Sequence, residues 1–127
     1  LAQDSAISAT RNDLKLELFD LMEQFTHVLQ STPIGGVLLT LMAEKEDDPK
    51  LSGSLDPLIK ARRQPFKDVL RRSISRKELP ADMELELAVD MIMGPIVVRA
   101  MFSTRSLSTR TLNDILDMSL TGLGAKL

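Results

Sequence analysis

Residues 83–102, MELELAVDMIMGPIVVRAMF, carry apolar side chains on two opposite faces of one helix. At about 100° per residue, Leu85, Val89, Ile92 and Ile96 line one side. Leu87, Met91, Val98 and Phe102 line the other, roughly 180° away. A helix packed once onto its own domain needs a single apolar stripe. This one asks for two neighbours: its own core and a second surface.

The helical period governs the rest of the chain as well. Leu14, Leu18, Leu21, Met22, Phe25, Val28 and Leu29 fall within about 120° of arc and predict an amphipathic helix over 11–30. Strand signals are nearly absent, with no Tyr or Trp and alternation confined to Leu14–Leu18. Ser31-Thr32-Pro33 closes the first helix and opens a second over 33–45, with Thr32 as N-cap and Pro33 at the first helical position. Ile34, Val37, Leu38, Leu41 and Met42 share one side of it. Asp48-Pro49 and Asp56-Pro57 both read as a cap followed by proline, predicting a short helix and then a longer one. The longer one reaches Lys77, with Leu58, Ile59, Phe66, Val69, Leu70 and Ile74 inward and a kink at Pro65. After the turn Glu78-Leu79-Pro80-Ala81, Asp82 is the expected N-cap of the two-faced helix, with Glu84 and Glu86 suited to its positive end. A connection over 103–108 leads to a last helix over 109–122, with Gly122 and Gly124 as stops. Its apolar arc (Leu112, Ile115, Leu116, Met118, Leu120, Leu123) is also wide. The expected architecture is an all-α multi-helix bundle.

Two wide apolar arcs in succession point to association. Left in water, about half a dozen large side chains would be exposed, and covering them is worth on the order of 10 kcal/mol before association costs. Two helices from each of two subunits can pack as a four-helix bundle about a two-fold axis. The expected dimer interface is Leu87, Met91, Val98 and Phe102, with Leu112, Ile115, Leu116, Met118 and Leu120 from the last helix. The alternative is that the long helix around 57–77, or a missing segment, covers that face within one chain.

Composition narrows the classes. At 127 residues, 43% hydrophobic and 27% charged, the chain fits one ordinary globular domain. No run approaches the roughly 20 apolar residues of a membrane span, so no membrane partner is expected. The absence of cysteine excludes disulfides and thiolate metal sites and suits a reducing cytoplasm. A net charge of −2 gives no general attraction to nucleic acid. The first residues are not a basic-then-apolar leader, and because the chain begins at Leu1 an upstream portion is expected.

Several segments together resemble the C-terminal regulatory half of the TetR/AcrR family of bacterial transcriptional regulators. They are Thr32-Pro33 before a short apolar helix, Ala43-Glu44 followed by Asp48-Pro49-Lys50-Leu51, and the arginine-rich stretch Arg62 to Arg76 with Glu78-Leu79. Above all there is Met91-Ile92-Met93-Gly94-Pro95-Ile96-Val97-Val98-Arg99, like the apolar-Gly-Pro-apolar-apolar-apolar-Arg segment of many members. Ile115-Leu116-Asp117-Met118-Ser119-Leu120-Thr121-Gly122-Leu123 is similar to the family's final helix. The likeness runs from Asp13 to Ala125, with two departures: Lys77 stands where a Gly often precedes Glu-Leu, and the stretch between Leu55 and Phe66 is about one residue short. The resemblance implies a homodimer built from the last two long helices and a small-molecule effector pocket among the earlier ones. It also implies operator DNA binding through an N-terminal helix-turn-helix that is not among these residues.

Individual residues divide between structural and functional readings. The seven methionines and four phenylalanines are plausible pocket lining. Met22, Phe25, Leu41, Met42, Phe66, Leu70, Ile92 and Ile96 point inward by periodicity, and core packing explains each equally well. The expected effector is small and apolar or amphipathic. Arg99, at the edge of the inner stripe, suits an anionic group, or else a structural partner such as Asp90 or Asp114 or snorkelling to water. His27, the only histidine, falls off the apolar stripe and reads as exposed. Glu44 to Asp48 lacks the ligand spacing of a calcium loop and reads as a capping turn. Lys60, Arg62, Arg63, Lys67, Arg71, Arg72, Arg76 and Lys77 read as a solvated basic face paired with that acidic turn. No aromatic residues interleave with them for base stacking. No nucleophile has an identifiable base and no cofactor is implied, so the chain is not expected to be an enzyme. Rival readings are a stand-alone helical interaction module without a small-molecule site and a carrier of apolar ligands.

Overall fold

The computed structural model describes residues 11–31, 33–102 and 107–125. Its helices, in chain order, are α1 (Arg11–Ser31), α2 (Pro33–Glu44), a 3-10 turn (Lys45–Asp47), α3 (Pro49–Ser75), α4 (Leu85–Phe102) and α5 (Thr109–Gly122). No strand occurs among the described residues. The centre of the bundle is α1, which contacts every other helix. Leu14, Leu18, Met22 and Phe25 recur every three to four residues along it and are buried, as the apolar period requires. Phe66, Val69 and Leu70 of α3, Val89, Ile92 and Ile96 of α4, and Leu112, Leu116 and Leu120 of α5 close around them.

The corner between α1 and α2 is tight. A Cβ on Gly35 would lie 2.3 Å from the Leu29 carbonyl oxygen, so only glycine fits there. Thr32, the expected cap of α2, lies outside the described residues.

The region 49–75 corrects the expected division into two helices: α3 is one helix of 27 residues that continues through Pro57 and Pro65. Its single start is Asp48, whose Oδ1 accepts from the backbone N–H groups of Lys50 (3.1 Å) and Leu51 (3.2 Å). The expected capping role of the acidic turn therefore holds at Asp48. Asp56 does no capping; its carboxylate instead accepts from Lys45 Nζ at 3.1 Å. Because the helix is continuous, its inner face starts earlier than expected. Leu55 is buried, whereas Leu58, expected inward, is 60% exposed.

Helices α3 and α5 end alike. At α3, Lys77 N–H donates to Ile74 O and Glu78 N–H to Ser73 O, both at 2.9 Å, with Lys77 at φ 63°. At α5, Gly124 N–H donates to Thr121 O and Ala125 N–H to Leu120 O, with Gly124 at φ 79°. Both are Schellman ends, in which the left-handed residue turns the chain off the helix. Gly122 is thus the last helical residue rather than a stop. Lys77 occupies a left-handed position that glycine would take without steric cost, which is the physical content of that departure in the sequence.

The N-cap of α4 is Glu84, not the expected Asp82. Its carboxylate accepts from the backbone N–H of Glu86 at 3.1 Å and of Leu87 at 2.6 Å. The helix runs unbroken through Gly94-Pro95. Gly94 has no Cβ to press on the proline ring, which relaxes the usual objection to a helical residue before proline. Pro95 has no N–H to offer the Met91 carbonyl one turn back. The buried Ser119 hydroxyl of α5 donates to that carbonyl at 3.3 Å, repairing the gap and joining the two helices.

In α5 the expectation of a largely outward apolar arc is corrected. Leu112, Ile115, Leu116 and Leu120 are each 9% exposed or less and belong to the core of the subunit itself. Only Met118 of that set faces solvent, at 75%.

An apolar cavity walled by four helices

Between α1, α2, α3 and α4 lies a cavity of about 700 Å³, partly open to solvent. Its size falls in the range of drug-sized ligand sites. Leu21, Phe25 and Leu29 of α1 form one wall and Met42 of α2 contributes an edge. Leu55, Ile59 and Phe66 of α3 form the second wall, and Met93, Gly94 and Val97 of α4 the third. Leu58 and Val98, both largely exposed, stand among the lining residues. The polar residues at its edge are Gln24, Arg62, Arg63 and Asp90.

Of the expected ligand-binding residues, the structure brings Phe25, Met42 and Phe66 to the cavity. Met22, Leu70, Ile92 and Ile96 are completely buried in the core and do not line it. Leu41 is half-buried and lies outside it. Arg99 is exposed and away from it, which corrects the expected ligand contact and agrees with a side chain reaching water. Most of the last turn of α4 is uncovered, with Val98, Arg99, Met101 and Phe102 exposed and Ala100 packed against the core.

Among the lining residues outside the expected ligand-binding set, Leu55 and Arg62 are instructive. Leu55 lies eleven residues before Phe66, within about 20° of it on a continuous helix, and was hidden by reading Pro57 as a start. Arg62, one turn before Phe66 on the same side of α3, is exposed as a solvated basic face implies and also borders the cavity.

That basic face is paired in a different way from the one expected. Arg63 and Lys67, one turn apart on α3, meet Glu86 and Asp90, one turn apart on α4, rather than the acidic turn at 44–48. Arg63 reaches Glu86 Oε2 and Asp90 Oδ1 at 2.8 Å each, and donates to the Glu86 carbonyl at 2.9 Å. Lys67 Nζ reaches Glu86 Oε1 at 2.6 Å. Partial burial pulls the Arg63 guanidinium down, but its hydrogen bonds to Glu86 and Asp90 outweigh this and its pKa is raised. The Glu86 carboxyl is held below its ordinary value by the hydrogen bonds from Lys67 and then Arg63. Elsewhere Arg72 pairs with Glu17 of α1 at 3.2 Å, and Arg76 with Glu78. Lys15 of α1 also pairs with Asp117 of α5 at 2.8 Å.

His27 is exposed on α1, as its position off the apolar stripe implies. Among the described residues no group of three His, Asp or Glu side chains is placed to hold a metal ion. Nor is any helix among them long and apolar enough to cross a membrane.

An all-α bundle with an apolar cavity beside a two-faced helix is the arrangement implied by the resemblance in the sequence. A family model described as the tetracyclin repressor-like C-terminal domain matches residues 10–119. The chain belongs to that family. No curated protein matches the chain. Membership places it among the regulatory domains of transcriptional regulators, and the match covers α1 to α4 and most of α5. The matched span includes every helix that walls the cavity.

Proposed function

We propose that this domain binds a small apolar or amphipathic effector in the cavity and forms a homodimer through the outer face of α4. The observation that carries this reading is that one helix borders the cavity and also carries an uncovered apolar stripe. Met93, Gly94, Val97 and Val98 line the cavity, and Leu87, Met91, Met101 and Phe102 stand exposed on α4 together with Val98, which borders both faces, with Met118 of α5 also outside. Those six side chains, covered on each of two subunits, are worth on the order of 10 kcal/mol before the cost of association. Leu87, Met91, Gly94, Val98 and Met101 follow a spacing of four, three, four and three residues. Such a spacing suits the seam of a helix pair, which would border the cavity at Gly94 and Val98. The residues expected from α5 in this interface reduce to Met118, because Leu112, Ile115, Leu116 and Leu120 are already covered.

A ligand changes the arrangement of two subunits only if it binds the two arrangements with different affinity. Ligand contact with α4, the proposed dimer helix, supplies a route for that difference. Operator DNA would be read by a helix-turn-helix head outside this chain, whose spacing the dimer sets. The test is binding of N-phenylnaphthylamine, an uncharged apolar fluorophore. One probe per subunit is expected, with binding abolished in Val97→Trp, which fills the cavity while circular dichroism stays helical. A stand-alone interaction module would leave the probe unbound in both proteins.

A further inference from the structure

The cavity wall is apolar at depth and charged at one edge, and only one of the charged groups there is uncommitted. Arg63 is held by Glu86 and Asp90, and Asp90 is held by Arg63. Gln24 donates to Asp20 at 3.1 Å. Arg62 lines the same cavity, one turn before Phe66, and has no hydrogen-bond or ion-pair partner among the described residues. Counting the charged lining residues, Arg62 and Arg63 against Asp90, the cavity edge carries one net positive charge.

We infer that the cavity selects an amphipathic monoanion, its apolar body against Phe25, Leu55, Phe66 and Met93 and its acidic group on the guanidinium of Arg62. This rests on the effector-binding reading above and specifies the ligand class. An apolar body needs no polar partner from the deep wall, which offers none. A carboxylate or sulfonate needs a cation at the edge, and a planar guanidinium with five donors matches either. A second negative charge would meet Asp90 without a free cation to balance it. A cationic ligand would face Arg62 and Arg63 and find its sole counter-charge already bound.

Two probes of the same aromatic frame separate the charge from the grease: anilinonaphthalene sulfonate, an anion, and uncharged N-phenylnaphthylamine. The chain is expected to bind the sulfonate about fivefold more tightly, the size of a charge-assisted contact at a partly exposed site. Arg62→Gln should abolish that preference, and Arg62→Lys should restore most of it. Val97→Trp should remove both probes, which locates them in the cavity. Equal affinity for the two probes, or a preference that survives Arg62→Gln, overturns the monoanion assignment while the effector pocket stands. Failure of both probes to bind overturns the pocket as well.

Discussion

Helices α4 and α5 pack side by side and both present wide apolar arcs in the sequence, yet the fold treats them differently. In α5, Leu112, Ile115, Leu116 and Leu120 all turn into the subunit and only Met118 is left outside. In α4, Val89, Ile92 and Ile96 turn inward while Leu87, Val98, Met101 and Phe102 remain uncovered. A wide arc on a helix at the side of a bundle can be met by two neighbours of its own chain. Two arcs on opposite faces cannot, because the neighbours that cover one face leave the other bare. The separation of the stripes, more than the number of apolar residues, distinguishes a surface for a second molecule from a well-buried helix.

The largest test of this contrast is on α5. Leu116→Ala should cost about 3 kcal/mol in urea unfolding, as for a fully buried leucine. Met118→Ala, measured in a Phe102→Glu background chosen to disfavour the proposed association, should change stability by less than about 0.5 kcal/mol. Comparable losses at both positions would erase the distinction between the helices.

Next in size is the contact that joins them. Ser119→Ala leaves the Met91 carbonyl without the donor that Pro95 cannot supply, and about 1–2 kcal/mol should be lost. No change in the unfolding midpoint would mean that water replaces the serine, and that α4 leans on α5 less than the geometry implies.

The turn that feeds α4 offers a gain. Lys77→Gly relieves a left-handed residue, offset by the greater freedom of glycine in the unfolded chain, for a net stabilisation of up to about 1 kcal/mol. Thermal melting should rise by a few degrees. A fall would show that the lysine side chain stabilises the turn by more than its backbone costs.

The smallest effect concerns the ionic clamp from α3 to α4. The folded-state pKa of Glu86 is lowered, so its contribution is present above the unfolded carboxylate value and is lost as pH falls through the folded one. Melting of the wild-type chain should therefore drop more steeply between about pH 5 and pH 3 than that of Glu86→Gln. Parallel curves would show the clamp to be screened to nothing, an ordinary fate for exposed ion pairs.

Much of this architecture is legible in the residues. The apolar periods of α1 and α5 give those helices nearly to the residue, and the double stripe of α4 marks its uncovered face. Local reasoning fails where two signals compete. Asp56-Pro57 has the chemistry of a helix start, but Asp48 caps first and the long helix simply carries both prolines. That one error hides Leu55 and so part of the cavity wall. Periodicity also ranks Met22, Leu70, Ile92 and Ile96 with Phe25 and Phe66, because inward direction is the same for a packed core and for a cavity. Which inward residues meet empty space depends on how α2 and α3 lean on α1, and no spacing within one helix carries that. Arg99 fails in a related way: its angle is right, but its turn of α4 extends past the helices that would have enclosed it.

Sedimentation equilibrium of the chain, compared with a Val98→Glu, Phe102→Glu double variant, tests the role of α4 most directly. A dimer at micromolar concentration that becomes a folded single subunit in the double variant is the expected result. A wild-type chain that sediments as one subunit at that concentration would contradict it, leaving the outer stripe of α4 without a partner of its own kind.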